Sequence, residues 1–454
     1  MGWPVRVALA GLCGLALTRP CLAQGAGAGQ IVRMTPQECI ARALSVSPDV
    51  EQAKLAVSAL EAKLSEARFA GVLPQFQLTN FFGPVPGVKG NLDSLETIRS
   101  DLSNLGVFSR TTLDLVQPLY TFGRLSAVQE AARYGLQAGE AGVSRKKNDI
   151  VLQVERLCYG LLLAKALLSV VEEAQENIQK ARTKVNQLLE EGSEDASEND
   201  LRKIEVFEYE VKRNTERAQK AIELGKAALK MTLKLDRQAD FDITTSDLEP
   251  APVTLSDLGV YIDRAYASRP DIKQLRAGVQ ARRSLLRVTR SEYFPQIALV
   301  GSLQYGAAPN RPHFSNPFLR DEFNFFRLGA LVTLRQSFSF GLTSARYRAS
   351  QAEYFDLASK EEQARNAVAL EVEQAYRDVQ EADHNVQNSE RAMRAAKTWL
   401  TSAAIGYDIS GETADLMNAF TAYSRMRQEY YQSVFNLNVA LAVLDHVTGR
   451  AASN

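Results

Sequence analysis

The chain has 454 residues, and its 53 lysine and arginine residues balance 53 aspartate and glutamate residues, so the formal net charge is zero. A balanced charge without a basic run excludes the electrostatic footprint of a nucleic-acid-binding protein. The hydrophobic share of 45% is typical of a folded chain rather than a disordered one.

The N-terminal segment 1–23 reads as a secretory signal peptide. Arg6 precedes an apolar stretch of about eleven residues, Val7 to Leu17, and Cys21-Leu22-Ala23 offers a small-x-small cleavage site. We expect cleavage after Ala23, and the apolar stretch is too short to span a bilayer. Cys39 and Cys158 then remain, which are too few for a disulfide framework, and whether they pair stays open.

One short motif occurs twice in the remaining chain. Ser47-Pro48-Asp49-Val50 reappears as Arg269-Pro270-Asp271-Ile272, at an offset of about 222 residues. At the same offset Ile40, Arg42, Ala43, Gln52 and Val57 reappear as Ile262, Arg264, Ala265, Gln274 and Val279. A single Pro-Asp pair is a common helix-boundary signal, but a matched series indicates internal duplication. We therefore divide the chain into a first repeat, 24–252, and a second repeat, 253–454.

Each repeat is predicted to open with a helix. The first runs from about Pro36 to Arg68, with Thr35 as N-cap and Pro36 at the first helical position. Its equivalent runs from about Leu258 to Ser291, with Ser256 as the N-cap.

Two strands of about ten residues, with alternating apolar and polar side chains, follow each opening helix. The alternation is clear in Gln75-Phe76-Gln77-Leu78 and in Val332-Thr333-Leu334-Arg335. Polar loops, 83–105 and 306–322, separate the strands of each pair. The second strands end at Phe122-Gly123 and Phe340-Gly341.

These four strands pose a problem of closure. Each has the length that crosses an outer membrane when tilted, and no apolar run after the signal is long enough for a membrane helix. Four strands cannot close a barrel, since eight is about the smallest number that does. An open sheet edge is not tolerated in lipid. The strands therefore pack in a soluble core, or copies of the chain complete one barrel.

A very long helix is predicted after each pair of strands. Gly123 to Gly192 and Gly341 to Gly411 span about 70 residues each, which at 1.5 Å per residue gives rods of about 100 Å. Apolar residues recur at steps of three and four, as in a coiled coil. The return helices, Ser197 to Leu235 and Glu412 to Val447, are half as long. Each long helix therefore pairs with two half-length helices stacked end to end.

From Ile31 to Arg450 the chain resembles the TolC family of outer-membrane efflux proteins. The resemblance is carried by the duplicated A-x-x-x-x-P-[DE] helix start, which is followed in both repeats by a Pro-Gln strand entry. Further motifs are Gln117-Pro-Leu-Tyr-Thr-Phe-Gly123 at a strand exit and the turn from Tyr407 to Leu416.

The resemblance implies a mainly α fold with membrane β-strands: two internal repeats, coiled-coil helical hairpins and four transmembrane strands in each protomer. It implies a homotrimer whose twelve strands close one barrel within outer-membrane lipid and whose helices form a tunnel across the periplasm. The partners it implies are a periplasmic adaptor and an inner-membrane pump of an efflux or type I secretion system. The exported substrate and the pump class stay open.

The same resemblance places the turns around Gly192 and Gly411 at the periplasmic entrance. Both turns are acidic, and a ring of carboxylates at a constriction attracts cations. Asp415 and Asp200 are the best matches to the family's gate carboxylates, and the further candidates are Asp195, Asp408 and Glu412. The candidate adaptor-docking residues are Gly192, Ser193, Ser410, Gly411 and Thr413.

An enzyme and a structural protein are the two other classes of function to consider for this sequence. The three histidines, His313, His384 and His446, have no partner at metal-ligand spacing, and no catalytic motif is present, so we predict neither an enzyme nor a cofactor or metal site. The alternative is a periplasmic coiled-coil scaffold or an adhesin-like structural protein. It explains the long helices but not the paired strands with alternating faces.

Overall fold

The computed structural model describes residues 31–90, 98–192, 197–245, 247–314, 318, 320–410 and 413–449. The predicted signal peptide lies outside these residues. Within them, no helix has the combination of length and apolar character that a bilayer span requires.

The elements follow one another in the same order in both halves. The first half contains β1 (Val32–Met34), α1 (Pro36–Val46), α2 (Pro48–Val72), β2 (Gln75–Lys89), β3 (Arg99–Tyr120), α3 (Arg124–Glu190), α4 (Glu198–Thr232) and β4 (Phe241–Ile243). The second half contains α5 (Leu258–Ser268), α6 (Pro270–Ser291), β5 (Gln296–Ala307), β6 (Phe325–Arg335), α7 (Leu342–Ser410) and α8 (Thr413–Val447).

Each predicted opening helix is in fact two helices, so the single-helix prediction was wrong. The break falls at Ser47 in the first half and at Arg269 in the second, both with extended ψ angles, 125° and 126°. Each of these residues precedes a proline, which disfavours the helical conformation of its predecessor and lacks a backbone N–H. The Pro-Asp motif therefore marks a helix restart within each opening segment.

Of the two predicted N-caps, Thr35 is confirmed and Ser256 is wrong. Thr35 caps α1 in a capping box: its hydroxyl accepts from the Glu38 N–H at 3.2 Å, and the Glu38 carboxylate accepts from the Thr35 N–H at 2.7 Å. In the second half Asp257, not Ser256, is the N-cap residue of α5. Ser256 and Asp257 are both residue types that favour the N-cap position, so the sequence did not distinguish them, and Asp257 makes no capping bond through its side chain.

The four long strands form one antiparallel sheet in the order β2-β3-β5-β6. The first hairpin is longer than predicted, with strands of 15 and 22 residues. Its Gly/Pro-rich segment pairs with β3, as Pro84 does with Val107. Proline is tolerated there because β2 is an edge strand, where a missing N–H can face away from the ladder. Conversely, β6 ends at Arg335, before the predicted Phe340.

The register places the apolar side chains of all four strands on one face of the sheet. Leu78 lies opposite Leu113, which lies opposite Leu303, which lies opposite Leu328. The next row on the other face consists of Gln77, Asp114, Ser302 and Gly329. One face is thus apolar and largely exposed, and the other is mainly polar, as the alternation predicted.

The two long helices have 67 and 69 residues, as predicted. The part of α3 nearer the sheet packs along α2 and α6, and the part nearer Glu190 packs along α4. The α7 helix packs along α6 and α8. The predicted pairing of one long helix with shorter stacked helices is confirmed. In α7 six apolar residues spaced at steps of four and three are buried, as the coiled-coil pattern predicts: Val368, Val372, Ala375, Val379, Ala382 and Val386.

Two connections in the middle of the molecule were not predicted. The short strands β1 and β4 pair in parallel, with Val32 opposite Phe241. The linker after β4 is held against α8 by the buried Asn438, whose amide accepts from the Ala251 N–H and donates to the Glu249 carbonyl, both at 2.9 Å. Three-residue strands carry no periodicity that a sequence pattern could reveal.

Cys39 on α1 and Cys158 on α3 are neighbours in the same buried core, and both thiols are free. The hydrogen bond between them lowers the pKa of Cys39 and raises the pKa of Cys158, since the first thiolate is stabilised by the remaining thiol. The two residues therefore lie side by side without a disulfide bond between them.

Candidate functional site

The first tip is the turn between α3 and α4. After α3 ends at Glu190, Gly192 adopts a left-handed backbone with φ of 71°, and its N–H donates to the Leu189 carbonyl at 3.2 Å. Glycine takes this conformation without steric cost, which is why it commonly follows the last helical turn. The turn predicted around Gly192 is therefore present, and it ends α3.

Asp200 lies in the first turn of α4 and is buried. One carboxylate oxygen accepts from the Ser197 backbone N–H at 3.1 Å and from its hydroxyl at 2.7 Å, and the other accepts from the Lys203 ammonium at 3.0 Å. Burial alone raises the pKa of Asp200, but these bonds outweigh it and hold the pKa below its usual range. Both oxygens are therefore bonded within the first hairpin.

Asp415 lies in the first turn of α8 and is exposed. One of its oxygens accepts from the indole N–H of Trp399 on α7, at 3.3 Å. This bond ties the start of α8 to the end of α7, while the rest of the carboxylate faces solvent. Trp399 was not singled out in the sequence, although it is one of only two tryptophans in the chain.

The other predicted site residues either lie outside the described residues or are described by their backbone alone. Ser193, Asp195, Gly411 and Glu412 lie outside the described residues. Asp408, Ser410 and Thr413 belong to the ends of α7 and α8 by their backbone, and their side chains are not described.

The two hairpins meet side by side above their tips. Phe420 of α8 packs against the cluster of Ile178, Val185 and Ile204 from α3 and α4. A cavity of about 340 Å³ lies at this junction, and its lining combines apolar side chains with two lysines: Ile178, Lys180, Lys184, Leu400, Leu416 and Met417. The junction is therefore a loosely filled contact rather than a continuous core.

Ion pairs reinforce the hairpins and link them to each other. The Arg182 guanidinium binds both carboxylate oxygens of Glu208 at 2.9 Å, joining α3 to α4. The Arg427 guanidinium pairs with Glu173, joining α8 to α3. Asp200 and Asp415 make no direct contact with one another in the described chain, because each is bonded within its own hairpin.

The described residues include no group of three or more His, Cys, Asp or Glu side chains arranged to hold a metal ion. The His446 Nε2 donates to the Asp149 carboxylate at 3.0 Å, between α8 and α3. That bond joins two long helices and places the histidine in a structural contact.

A family model described as "Outer membrane efflux protein" matches the chain in two segments, residues 39–223 and 261–450. The segments correspond to the two halves of the fold, and together they cover well over half of the chain. No curated protein matches the chain by sequence similarity.

Several solved structures share the fold. One, described in connection with CusC and transmembrane channel formation, is 20% identical and superposes with a TM-score of 0.74 over 94% of this chain and 95% of its own. The Neisseria gonorrhoeae MtrE outer membrane channel is 16% identical, with a TM-score of 0.74 over 91% and 88% of the two chains. The Campylobacter jejuni CmeC outer membrane channel is 14% identical, with a TM-score of 0.72 over 92% and 87%.

Proposed function

Because this chain belongs to the outer membrane efflux protein family, we propose that three copies of it close a twelve-stranded barrel and join their helices into one tunnel. The family consists of export channels rather than enzymes, and the protein is the outer-membrane duct of a tripartite export system, with its helices in the periplasm. Family membership favours this function over the scaffold alternative.

The open edges of the sheet carry the proposal of a trimer. Within one chain, β2 and β6 are each paired on one side only. All three contacts in the order β2-β3-β5-β6 are antiparallel, so β2 and β6 run in opposite directions. The β6 strand of one copy can therefore pair antiparallel with β2 of the next. Three copies supply twelve strands and leave no edge exposed to lipid.

The tips suit contact with a periplasmic adaptor that joins the duct to an inner-membrane pump. They are the part of the helical hairpins farthest from the sheet, and their turns include Gly192, Ser193, Ser410, Gly411 and Thr413. Exchanging 190–200 and 407–416 with the equivalent turns of another family member is expected to transfer adaptor choice in a pull-down. Retention of the original adaptor by the exchanged protein contradicts docking at the tips.

We assign the entrance gate to a ring of Asp415 carboxylates. Asp415 is exposed, whereas the Asp200 carboxylate is buried and already paired with Lys203. Three copies of an exposed carboxylate around a narrow axis attract cations and repel anions. The Trp399 indole orients each carboxylate from the neighbouring helix, so Trp399 acts as a positioning residue.

Single-channel recordings of the reconstituted protein test this gate. Asp415→Asn is expected to lower cation selectivity, measured as the reversal potential in a salt gradient, because it removes one charge from each protomer. Trp399→Phe keeps the charge and is expected to broaden the conductance distribution without reversing selectivity. Asp200→Asn separates the two carboxylates: it is expected to lower thermal stability through loss of the cap. Unchanged selectivity in Asp415→Asn removes Asp415 from the constriction.

A further inference from the structure

At the end of the sheet farthest from the helices, where β2 connects to β3 and β5 to β6, only one face of the sheet is covered. On the apolar face Phe82, Val107 and Phe326 are 73%, 61% and 64% exposed. On the other face Val85 and Ala308 are each only 1% exposed. Ala308 belongs to the first of the two arms of the β5–β6 connection, residues 308–311 and 321–324, and Arg311 of the same arm binds the Pro86 carbonyl next to Val85. In the proposed barrel the apolar face meets lipid, so the arms lie on the lumen side.

Arg311 holds the first arm against the first hairpin. Its guanidinium donates to the Pro86 carbonyl at 2.5 Å and lies 4.3 Å from the centre of the Phe323 ring. The Phe323 ring in turn packs edge-on against Phe108 of β3, with ring centres 5.2 Å apart. The contacts of Arg311 with Pro86 and of Phe323 with Phe108 join residues more than two hundred positions apart in the chain, so the arms are packed against the sheet rather than projecting from it.

Two glycines make this close approach possible. A side-chain carbon at Gly306 would come within 2.6 Å of the Phe325 ring and 2.7 Å of the Phe323 carbonyl oxygen. A side-chain carbon at Gly106 would lie 2.8 Å from the side chain of Asn310. Asn324 adds a bond from the Ala308 N–H at 2.7 Å. The arms are therefore built onto the lumen face.

Three arginines, Arg110, Arg311 and Arg327, lie against the rings of Phe108, Phe323 and Phe325. We call these arginines the outer arginine cluster. Arg110 lies 5.5 Å from the ring centres of both Phe108 and Phe325, and Arg327 lies 4.2 Å from that of Phe325. In the described part of the chain none of the three pairs with a carboxylate, and the Arg110 Nε atom is buried without a hydrogen-bond partner.

We propose that the outer arginine cluster is an exit site for organic anions, such as aromatic carboxylates or phosphates, in the lumen of the barrel. Rings of arginine favour anions in a pore, and a guanidinium offers both a planar donor fork and a stacking face. The inference rests on the proposed trimeric barrel, which triples the cluster around one axis. The exit then has the opposite charge preference to the acidic entrance.

The position of the cluster decides the source of the anion. Arg110 and Arg327 lie on the same face as Gln77 and Ser302, away from the apolar face that meets lipid. A lipid phosphate can reach only the apolar face or the rim, whereas a dissolved anion passes along the lumen. The ligand is therefore a solute in transit rather than a lipid headgroup.

Single channels of the full-length trimer in neutral-lipid bilayers test the site with benzene-1,3,5-tricarboxylate as the probe. We expect a voltage-dependent block that is stronger from one chamber than from the other. Arg327→Gln is expected to weaken the block about tenfold, the change that accompanies loss of a close charge contact. Arg327→Lys keeps the charge and is expected to retain most of the block. Arg110→Gln, which leaves the Arg311 anchor in place, is a second test.

Arg335→Gln is the matched control, because Arg335 lies on the same strand and face as Arg327 but at the end next to the helices. It is expected to leave the one-sided block unchanged. A conducting channel whose block does not differ between wild type, Arg327→Gln and Arg110→Gln overturns the exit site but leaves the proposed function intact. A block that requires anionic lipid points to the lipid headgroup and also overturns it. A preparation without channels overturns the proposed function and this inference together.

Discussion

Glu155 shows how one buried group makes the stability of the helical body depend on pH. It lies on α3, where burial and, to a lesser extent, the Asp445 carboxylate of α8 raise its pKa to about 6. Folding therefore favours the protonated carboxyl. Because the folded-state pKa is raised above the unfolded value, the group destabilises the protein at pH above about 6, and the penalty is relieved as the pH falls from about 6 to 4.5.

Glu155→Gln is expected to raise the melting temperature at pH 7.5 and to flatten its pH dependence between about 4.5 and 6. The gain in the free energy of unfolding is about 1 kcal/mol, after a discount for the partial exposure of the group. Thermal melts monitored by circular dichroism over this pH range measure both effects. Glu172→Gln, an exposed position on the same helix, is the control. Equal shifts in the two variants contradict a role for burial.

At the scale of the elements, each long helix depends on how it ends. The α3 helix runs for 67 residues and stops at the left-handed Gly192, from which α4 returns. The α3 helix also contains Gly135, where an added side-chain carbon meets no atom within 4 Å. The two glycines thus differ only in backbone conformation, and they form a matched pair.

Gly192→Ala is expected to destabilise the tip by about 1 kcal/mol, because a side chain in the left-handed region crowds the following carbonyl. Gly135→Ala is expected to be neutral or to stabilise the helix by about 0.5–1 kcal/mol, since alanine loses less backbone entropy. Limited proteolysis of the tip and thermal melts distinguish them. A tip that is equally resistant in both variants contradicts the strained-turn argument.

The sheet allows a test of its two faces with neighbouring residues of β6. Val332→Arg places a charge on the apolar face, where it costs about 2–4 kcal/mol near the centre of a bilayer. Thr333→Arg places the same charge on the polar face, which faces water in the barrel. We expect the first variant to fail to assemble in the outer membrane and the second to assemble normally, measured by membrane fractionation. The reverse outcome contradicts the assignment of faces.

At the scale of the whole molecule, one chain is an incomplete object. Its four-stranded sheet has two open edges, and its helices, although they share buried cores, leave large apolar side chains such as Leu55, Leu224 and Leu370 exposed. The linker is held to α8 through Asn438. We propose that the two repeats meet there, with 24–252 forming the first and 253–454 the second.

We expect the protein extracted from outer membranes to migrate as a trimer on unheated gels and as a monomer after boiling, because the edge strands pair between copies. Chemical cross-linking before extraction provides an independent measure of the same state. Extraction as a stable monomer from membranes contradicts closure by three copies.

Local patterns were sufficient to predict most of the elements. The two helices of nearly seventy residues, the alternating strands and the turn at Gly192 each depend on residues close together in sequence, and the duplication is visible as a matched series at one offset. Two local predictions were wrong: the helix breaks at Ser47 and Arg269 were not predicted, and the proline-containing part of β2 was predicted as a loop. That last error arose because the edge position of β2, which makes proline acceptable, is a property of the sheet.

The candidate site was likewise predicted only in part from the sequence. The sequence predicted carboxylates at both tips, but the residue type alone does not indicate whether a carboxylate is free or hydrogen-bonded. Only the tertiary structure distinguishes Asp200, which bonds to the N-cap residue Ser197 and pairs with Lys203, from the exposed Asp415. The contact of Trp399 with Asp415 likewise depends on the packing of α7 against α8.

The sequence by itself determined the repeat, the long helical rods, the strands with two unlike faces, and the acidic turns, because periodicity and turn chemistry act over a few residues. The tertiary structure decided which carboxylate is available, that Cys39 and Cys158 are neighbours, and that Arg311 binds Pro86 on the lumen face. These contacts join positions far apart in the chain. Their energies come from burial and geometry that exist only once the elements have packed, so no local pattern reports them.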